Sequence, residues 1–193
     1  MSVELHSFSD RRTLERFEAR IVEVYGAAFS EPPYSQGEDG VRNVANRLPR
    51  HARNAGFRCL VAEENDQVLG FVYGYTDEPG GWWHEQVAPS MEAAGLERWL
   101  RNAFALTELA VAPQARGRGV GGRLHDTLLD SLPHRRSLLS THQEKTVARK
   151  LYDKRGWIVL LDGFVYPAGG DAVVIMGLDL SSHRTHPRPA SRR

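Results

Sequence analysis

The stretch Leu106–Gly122, LTELAVAPQARGRGVGG, constrains this chain more than any other part of it. A short apolar strand runs into a Pro-marked turn. Four glycines and two arginines then open directly into a helix predicted over Val120–Leu132. The first N–H groups of a helix have no intrahelical acceptor, and the helix dipole puts positive potential at the same end. Glycines take up positive φ and let a ligand approach the main chain closely. Together these features make a seat for a phosphate or pyrophosphate, and Arg116 and Arg118 add charge.

Two general phosphate fingerprints fit only in part. Gly117-Arg-Gly119-Val-Gly-Gly122 matches GxGxxG in its letters. That pattern needs a strand running straight into the first glycine and an acid about 20 residues on. Here Ala112–Arg116 intervene, and Leu138–Thr141 holds no acid. Gly117 and Gly122 also have P-loop spacing, but Arg123-Leu124 stands where Lys-Ser/Thr is needed for phosphate and Mg²⁺. A solvated helix start is the plainest alternative.

Arg116-Gly-Arg-Gly119-Val-Gly121 fits R/Q-x-x-G-x-G/A, and Ala148-Arg-Lys-Leu-Tyr-Asp-Lys-Arg-Gly-Trp157 fits A-x-x-L-Y-x-x-x-G-F/W. In order and spacing these segments resemble the two signatures of the GCN5-related N-acetyltransferase (GNAT) superfamily, and Thr107–Pro113 resembles its fourth strand. The resemblance implies an α/β fold with a mixed, mostly antiparallel seven-stranded sheet. That sheet would be splayed between its fourth and fifth strands and flanked by four to five helices. It also implies acetyl-CoA as acyl donor and no metal. The amides of Gly117, Arg118, Gly119, Val120, Gly121 and Gly122, with Arg116, would hold the pyrophosphate. The backbone of Leu109, Ala110 and Val111 would pair with the pantetheine arm like an added strand. The N–H of Leu109 or Ala110 would face the developing oxyanion.

Amine acetylation makes three demands. The attacking nitrogen must be neutral, although an alkyl ammonium has a pKa of about 10.4. The thioester oxygen needs donors as it gains charge. The departing thiolate is best protonated. Glu108, in an alternating strand just before the glycine loop, is the candidate base, acting directly or through water. His84 and Glu85 are alternatives. Tyr152 stands at the superfamily's Tyr position and is the candidate general acid. Lys145 stands where the superfamily often has Asn. It either reaches a cofactor phosphate or is solvated.

By the same analogy the acceptor pocket is bounded by the Ser30–Gly37 loop, the second helix and the Thr76–Asn102 connection. These segments carry Phe29, Glu31, Tyr34, Asp39, Asp77, Glu78, Trp82, Trp83, His84 and Glu85. Aromatic rings beside carboxylates suit a cationic amine, so Phe29, Tyr34, Trp82, Trp83 and Glu85 form the candidate acceptor set. The acceptor expected is a small-molecule primary amine, aminoglycoside-like or polyamine-like. A protein lysine or N-terminus stays open, as does a non-catalytic acyl-CoA sensor, although a sensor needs neither Glu108 nor Tyr152.

At 193 residues the chain reads as one domain over 1–180. Ser181–Arg193 is rich in Pro, Ser and Arg without apolar periodicity and reads as a disordered basic tail. Four of the 25 basic residues lie in that tail, leaving 21 against 24 acids and a net charge of −3 for the body. A body of that charge is not a nucleic-acid surface. No segment is long and apolar enough to span a bilayer. Met1-Ser-Val-Glu-Leu-His lacks a basic region followed by an apolar stretch, so no signal peptide or membrane partner is expected. The lone Cys59 sits in an apolar run, which reads as a buried thiol in a reducing cytoplasm. Oligomeric state stays open, with a homodimer through the C-terminal hairpin as one arrangement.

Periodicity places strands at Val3–Phe8, Phe57–Glu63, Val68–Tyr75, Phe104–Val111, Arg136–Ser140, Trp157–Tyr166 and Ala172–Leu180. Helices are predicted over Arg11–Phe29, Glu38–Asn54, Pro89–Arg101 and Lys145–Arg155, besides the one after the glycine loop.

Overall fold

The computed structural model describes residues 2–30, 34 and 37–181. The expected disordered tail beyond Ser181 and Glu31 of the acceptor loop therefore lie outside the described residues. The elements run β1 (Glu4–Phe8), α1 (Arg11–Phe29), α2 (Glu38–His51), β2 (Arg58–Glu64), β3 (Gln67–Asp77), α3 (Trp82–Ala93), β4 (Ala103–Val111), α4 (Val120–Asp130), β5 (Arg136–His142), α5 (Val147–Asp153), β6 (Ile158–Phe164) and β7 (Val173–Asp179), with 3₁₀ turns at Glu97–Leu100 and Pro113–Ala115. Seven strands and five α-helices among the described residues give the expected mixed α/β class. They divide into two compact units, each discontinuous in sequence. The first comprises Met1–Thr76 and Ala105–Ser131, the second Asp77–Phe104 and Leu132–Arg193. No described helix is long and apolar enough to cross a membrane.

In the first unit the strands lie in the order β1-β2-β3-β4, with β1–β2 and β2–β3 antiparallel. Asp10 caps α1 by accepting the Thr13 N–H at 2.8 Å. The helix then buries Leu14, Phe17, Ile21, Val24, Tyr25 and Ala28 at three- and four-residue spacing. The α2 helix buries Val44 and Leu48 and stops at His51, two residues after Pro49 and short of the expected Asn54. A proline near the end of a helix denies it one backbone donor and so favours termination nearby. Asn65 and Asp66, both at positive φ, form the two-residue β2–β3 turn.

At Gly70 on β3 there is no room for a side chain beside β4. A Cβ there would stand 2.8 Å from the carbonyl oxygen of Ala110, 3.2 Å from Leu124 Cδ1 and 3.3 Å from Val111 Cα. Two of those three atoms are backbone and cannot rotate away. Gly70→Val should destabilise the protein by about 1–3 kcal/mol, read as a drop in denaturation midpoint. An unchanged midpoint would show that β4 is free to move.

In the second unit the strand order is β5-β7-β6, antiparallel throughout. Here one expectation fails. The helix predicted from Pro89 begins at Trp82 and carries Pro89 in its interior. It buries His84, Val87 and Met91 on one face, and that burial outweighs the proline's intrinsic cost. Trp82, Trp83, His84 and Glu85 therefore sit in the first turn of a helix and not in the irregular part of the connection. Gly95, at φ +68, ends the segment, and Glu97–Leu100 continues as a 3₁₀ turn that buries Trp99 and Leu100. The α5 helix is shorter than predicted. Thr146 caps it through the Arg149 N–H. Its far end closes with Trp157 N–H on the Tyr152 carbonyl (3.2 Å) and Gly156 N–H on that of Asp153 (3.3 Å). That pair of bonds, with Gly156 at φ +81, is a glycine-closed helix end.

Candidate active site

The glycine loop follows β4 through the Pro113–Ala115 turn. Gly117 and Gly119 are left-handed at φ 75 and 78, and a Cβ at either would meet nothing within 4 Å. Gly119 is the N-cap of α4, whose first turn closes with Arg123 N–H on the Gly119 carbonyl at 3.0 Å. Val120, Gly121 and Gly122 form the first three positions of α4, where N–H groups have no intrahelical acceptor. Open space at Gly117 and Gly119, next to a helix N-terminus, is the arrangement an anion needs.

The two arginines read as extra charge both have protein partners. Arg116 donates to the Ala28 carbonyl at 2.9 Å, near the end of α1. Arg118 forks onto both carboxylate oxygens of Glu64, at 2.9 and 2.8 Å. Both bonds come from the one nitrogen, Nη2, and are charge-assisted. Both side chains thus tie the loop to the rest of the first unit. Leu109, Ala110 and Val111 lie in β4 as predicted, with Ala110 buried and its two neighbours partly so.

Glu108 is largely enclosed, with a side chain 15% exposed, and its Oε1 accepts from Arg47 Nη2 at 2.5 Å. Burial pushes its pKa up to about 7, while the Arg47 charge and hydrogen bond pull the other way. A carboxyl in that range is a far stronger base than a solvated one. Around the pair stand groups the sequence reading missed. Burial alone would lower the Arg47 pKa, but the Glu108 charge raises it, so it stays cationic. Burial and then the Glu108 charge push the Tyr73 hydroxyl well above its ordinary value. Burial, with help from Arg47, lowers His51 to about 4, so its ring is neutral at pH 7. His51 Nδ1 lies 3.3 Å from the Tyr73 hydroxyl, and its ring packs against Tyr75. The available signal was on α2. Arg47 and His51 lie four residues apart beside the buried Val44 and Leu48, so both border its apolar face.

The candidate acceptor residues fall into two groups. In the first unit Phe29 packs between Tyr25 (ring centroids 4.6 Å) and Tyr34 (4.7 Å, edge-on). In the second, Trp82 is 66% exposed and stacks on Tyr166 at 5.8 Å. Trp83 Nε1 donates to the Tyr166 hydroxyl at 3.1 Å, which donates to Ser140 Oγ at 2.9 Å. Tyr166 is thus a further residue that sequence reasoning missed. Glu85 is occupied in its own turn, where it accepts the Gly80 N–H at 2.7 Å. His84 is buried and holds Asp77 at 2.8 Å. Burial raises the Asp77 pKa although His84 opposes it.

Tyr152 lies in the second unit on α5, 5% exposed, with its ring 5.6 Å from that of Trp157. Lys145 is exposed just before the helix cap. Cys59 is fully buried on β2, and burial pushes its thiol pKa up, as a packing role requires.

The sequence profile of the acetyltransferase (GNAT) family matches residues 20–157. A GCN5-like protein acetyltransferase of Mycobacterium tuberculosis is 34% identical over 124 residues, 60% of this chain and 60% of that protein. Mycothiol acetyltransferase of Mycobacteroides abscessus is 36% identical over 86 residues, 45% of this chain but 23% of its own length. The chain thus spans less than two thirds of either relative. A PaiA N-acetyltransferase from Thermoplasma acidophilum, solved in complex with coenzyme A, has a TM-score of 0.59 at 15% identity, covering 93% of this chain and 99% of its own. At that identity the likeness speaks for the fold. The profile match extends from α1 through α5 and takes in both the glycine loop and the Leu-Tyr segment, and on that ground the chain belongs to the acetyltransferase (GNAT) family of acyltransferases.

Proposed function

We propose that the protein is an acetyl-CoA-dependent N-acetyltransferase whose single catalytic domain spans residues 1–180. The observation that carries this reading is Glu108: a nearly buried carboxyl with a pKa of about 7, on the strand that leads into an open, glycine-built anion seat. The diphosphate of acetyl-CoA sits on the amides from Gly117 to Gly122, braced by Arg116 and Arg118. Its pantetheine arm follows Leu109–Val111. The acceptor ammonium loses a proton to Glu108, directly or through one water. The freed nitrogen lone pair attacks the thioester carbonyl carbon in a ternary complex. As the tetrahedral intermediate collapses, the nitrogen gives up its second proton to solvent, the C–S bond breaks, an amide forms and the sulfur leaves as thiolate. Tyr152 supplies the proton that makes it free coenzyme A.

The acceptor is read as a primary amine on a cationic small molecule, aminoglycoside-like or polyamine-like. The Tyr25–Phe29–Tyr34 ring cluster and the exposed Trp82 face support this, since such faces attract cations. A protein amine is the second reading, favoured by the mycobacterial relative whose name is that of a protein acetyltransferase. Action in the cytoplasm accords with the lone buried Cys59.

Thermal shift with acetyl-CoA, followed by free-thiol release against a panel of amines, tests the proposal. The panel holds spermidine, kanamycin and a lysine-bearing peptide. Stabilisation with thiol release from spermidine or kanamycin is expected. Release from the peptide alone would transfer the assignment to protein acceptors. Stabilisation without release from any amine would leave an acyl-CoA sensor. Tyr152→Phe should lower kcat by about 10²-fold with acetyl-CoA affinity intact, and unchanged turnover would remove its acid role.

A further inference from the structure

We propose that Arg47 is a positioning residue that keeps Glu108 ionised and ready to accept a proton at neutral pH. The inference rests on the reading of Glu108 as the base. Its ground is geometric. Arg47 comes from α2 and Glu108 from β4, 61 positions apart, and their side chains meet at 2.5 Å. Glu108 is 15% exposed and Arg47 41%, so the carboxylate is the more enclosed partner and depends more on its counter-charge.

The groups around the pair come from five further positions. Tyr73 on β3 interacts electrostatically with both Arg47 and Glu108, and Tyr25 on α1 with Arg47. Cys59 on β2 and Tyr75 on β3 act on Tyr73. His51 on α2 feels the Arg47 charge and is neutral at pH 7. Burial raises the Tyr73 hydroxyl and the Cys59 thiol above their ordinary values, so both are uncharged as well. Arg47 is therefore the one cation among these groups. Burial alone would leave the Glu108 carboxyl protonated and unable to take a proton from an amine. Full solvation would leave it ionised but a weak base. Enclosure balanced by one guanidinium gives a carboxylate that is both basic and ionised.

Carbon-13 NMR of protein labelled at glutamate carboxyls tests this, with the Glu108 signal identified by its loss in Glu108→Gln. In Arg47→Met, which keeps an apolar side chain of similar reach, the Glu108 midpoint should rise by about one to three pH units over wild type. Arg47→Lys, which keeps the charge, should stay nearer wild type than Arg47→Met. Thiol release from acetyl-CoA with spermidine as the probe amine should recover at alkaline pH in Arg47→Met. An Arg47→Met midpoint at or below wild type would overturn the proposal. Should thermal melts show that Arg47→Met does not fold, Arg47→Gln is titrated against the same criterion. The two claims fail separately. An unmoved midpoint with Glu108→Gln inactive removes only the role of Arg47. A raised midpoint with Glu108→Gln fully active removes the base and leaves the electrostatic coupling.

Discussion

Glu108→Gln should lower kcat/KM for acetyl transfer by about 10²–10³-fold at neutral pH, the range that loss of a positioned general base costs. Glutamine keeps the size of the side chain and retains a carbonyl oxygen that accepts from Arg47 as Glu108 does now at 2.5 Å. What it loses is the capacity to take a proton. In the wild type, kcat/KM should rise with pH through about 7, where Glu108 ionises, and then level. In the variant that limb should vanish. Stability runs with the opposite sign. The folded pKa is raised from 4.5 to about 7, so the native state holds a proton that the unfolded chain has already released. The Glu108 contribution to stability is therefore fully present below about pH 4.5, declines between 4.5 and 7, and is gone above. Glu108→Gln should flatten that slope in a series of thermal melts. A variant with wild-type kcat/KM would mean that the amine arrives already deprotonated.

The second large effect concerns the loop. Gly119 caps α4 at φ 78, where a β-branched residue is a genuine outlier. Holding valine there costs about 1–3 kcal/mol, roughly one to two factors of ten in a binding constant. Its Cβ would enter space now open to 4 Å, the space a diphosphate would fill. Gly119→Val should therefore raise the Kd for acetyl-CoA by about 10- to 100-fold, read by titration calorimetry, and leave acceptor affinity alone. An unchanged Kd would place the diphosphate elsewhere.

Much of this molecule was legible because its signals are local. Asp10 three residues before Thr13, the Asn65-Asp66 turn and Gly156 closing α5 each act within a few residues of themselves. The glycine loop is of the same kind, since the dihedrals at Gly117 and Gly119 are properties of those residues. What escaped was non-local. Nothing near Glu108 in sequence announces Arg47, and only the packing of α2 against the sheet of the first unit brings them to 2.5 Å. The α3 helix was misplaced because Pro89 speaks locally against a helix, while buried His84, Val87 and Met91 speak for one only once packed. Arg116 and Arg118 were read as free charge because their partners, Ala28 and Glu64, lie 88 and 54 positions away.

A crystal structure with acetyl-CoA bound tests the central claim most directly. The diphosphate should lie within hydrogen-bonding distance of the amides between Gly117 and Gly122, with the thioester beside β4 in reach of Glu108 through at most one water. A diphosphate bound away from that loop, or a thioester that Glu108 cannot reach, would contradict it.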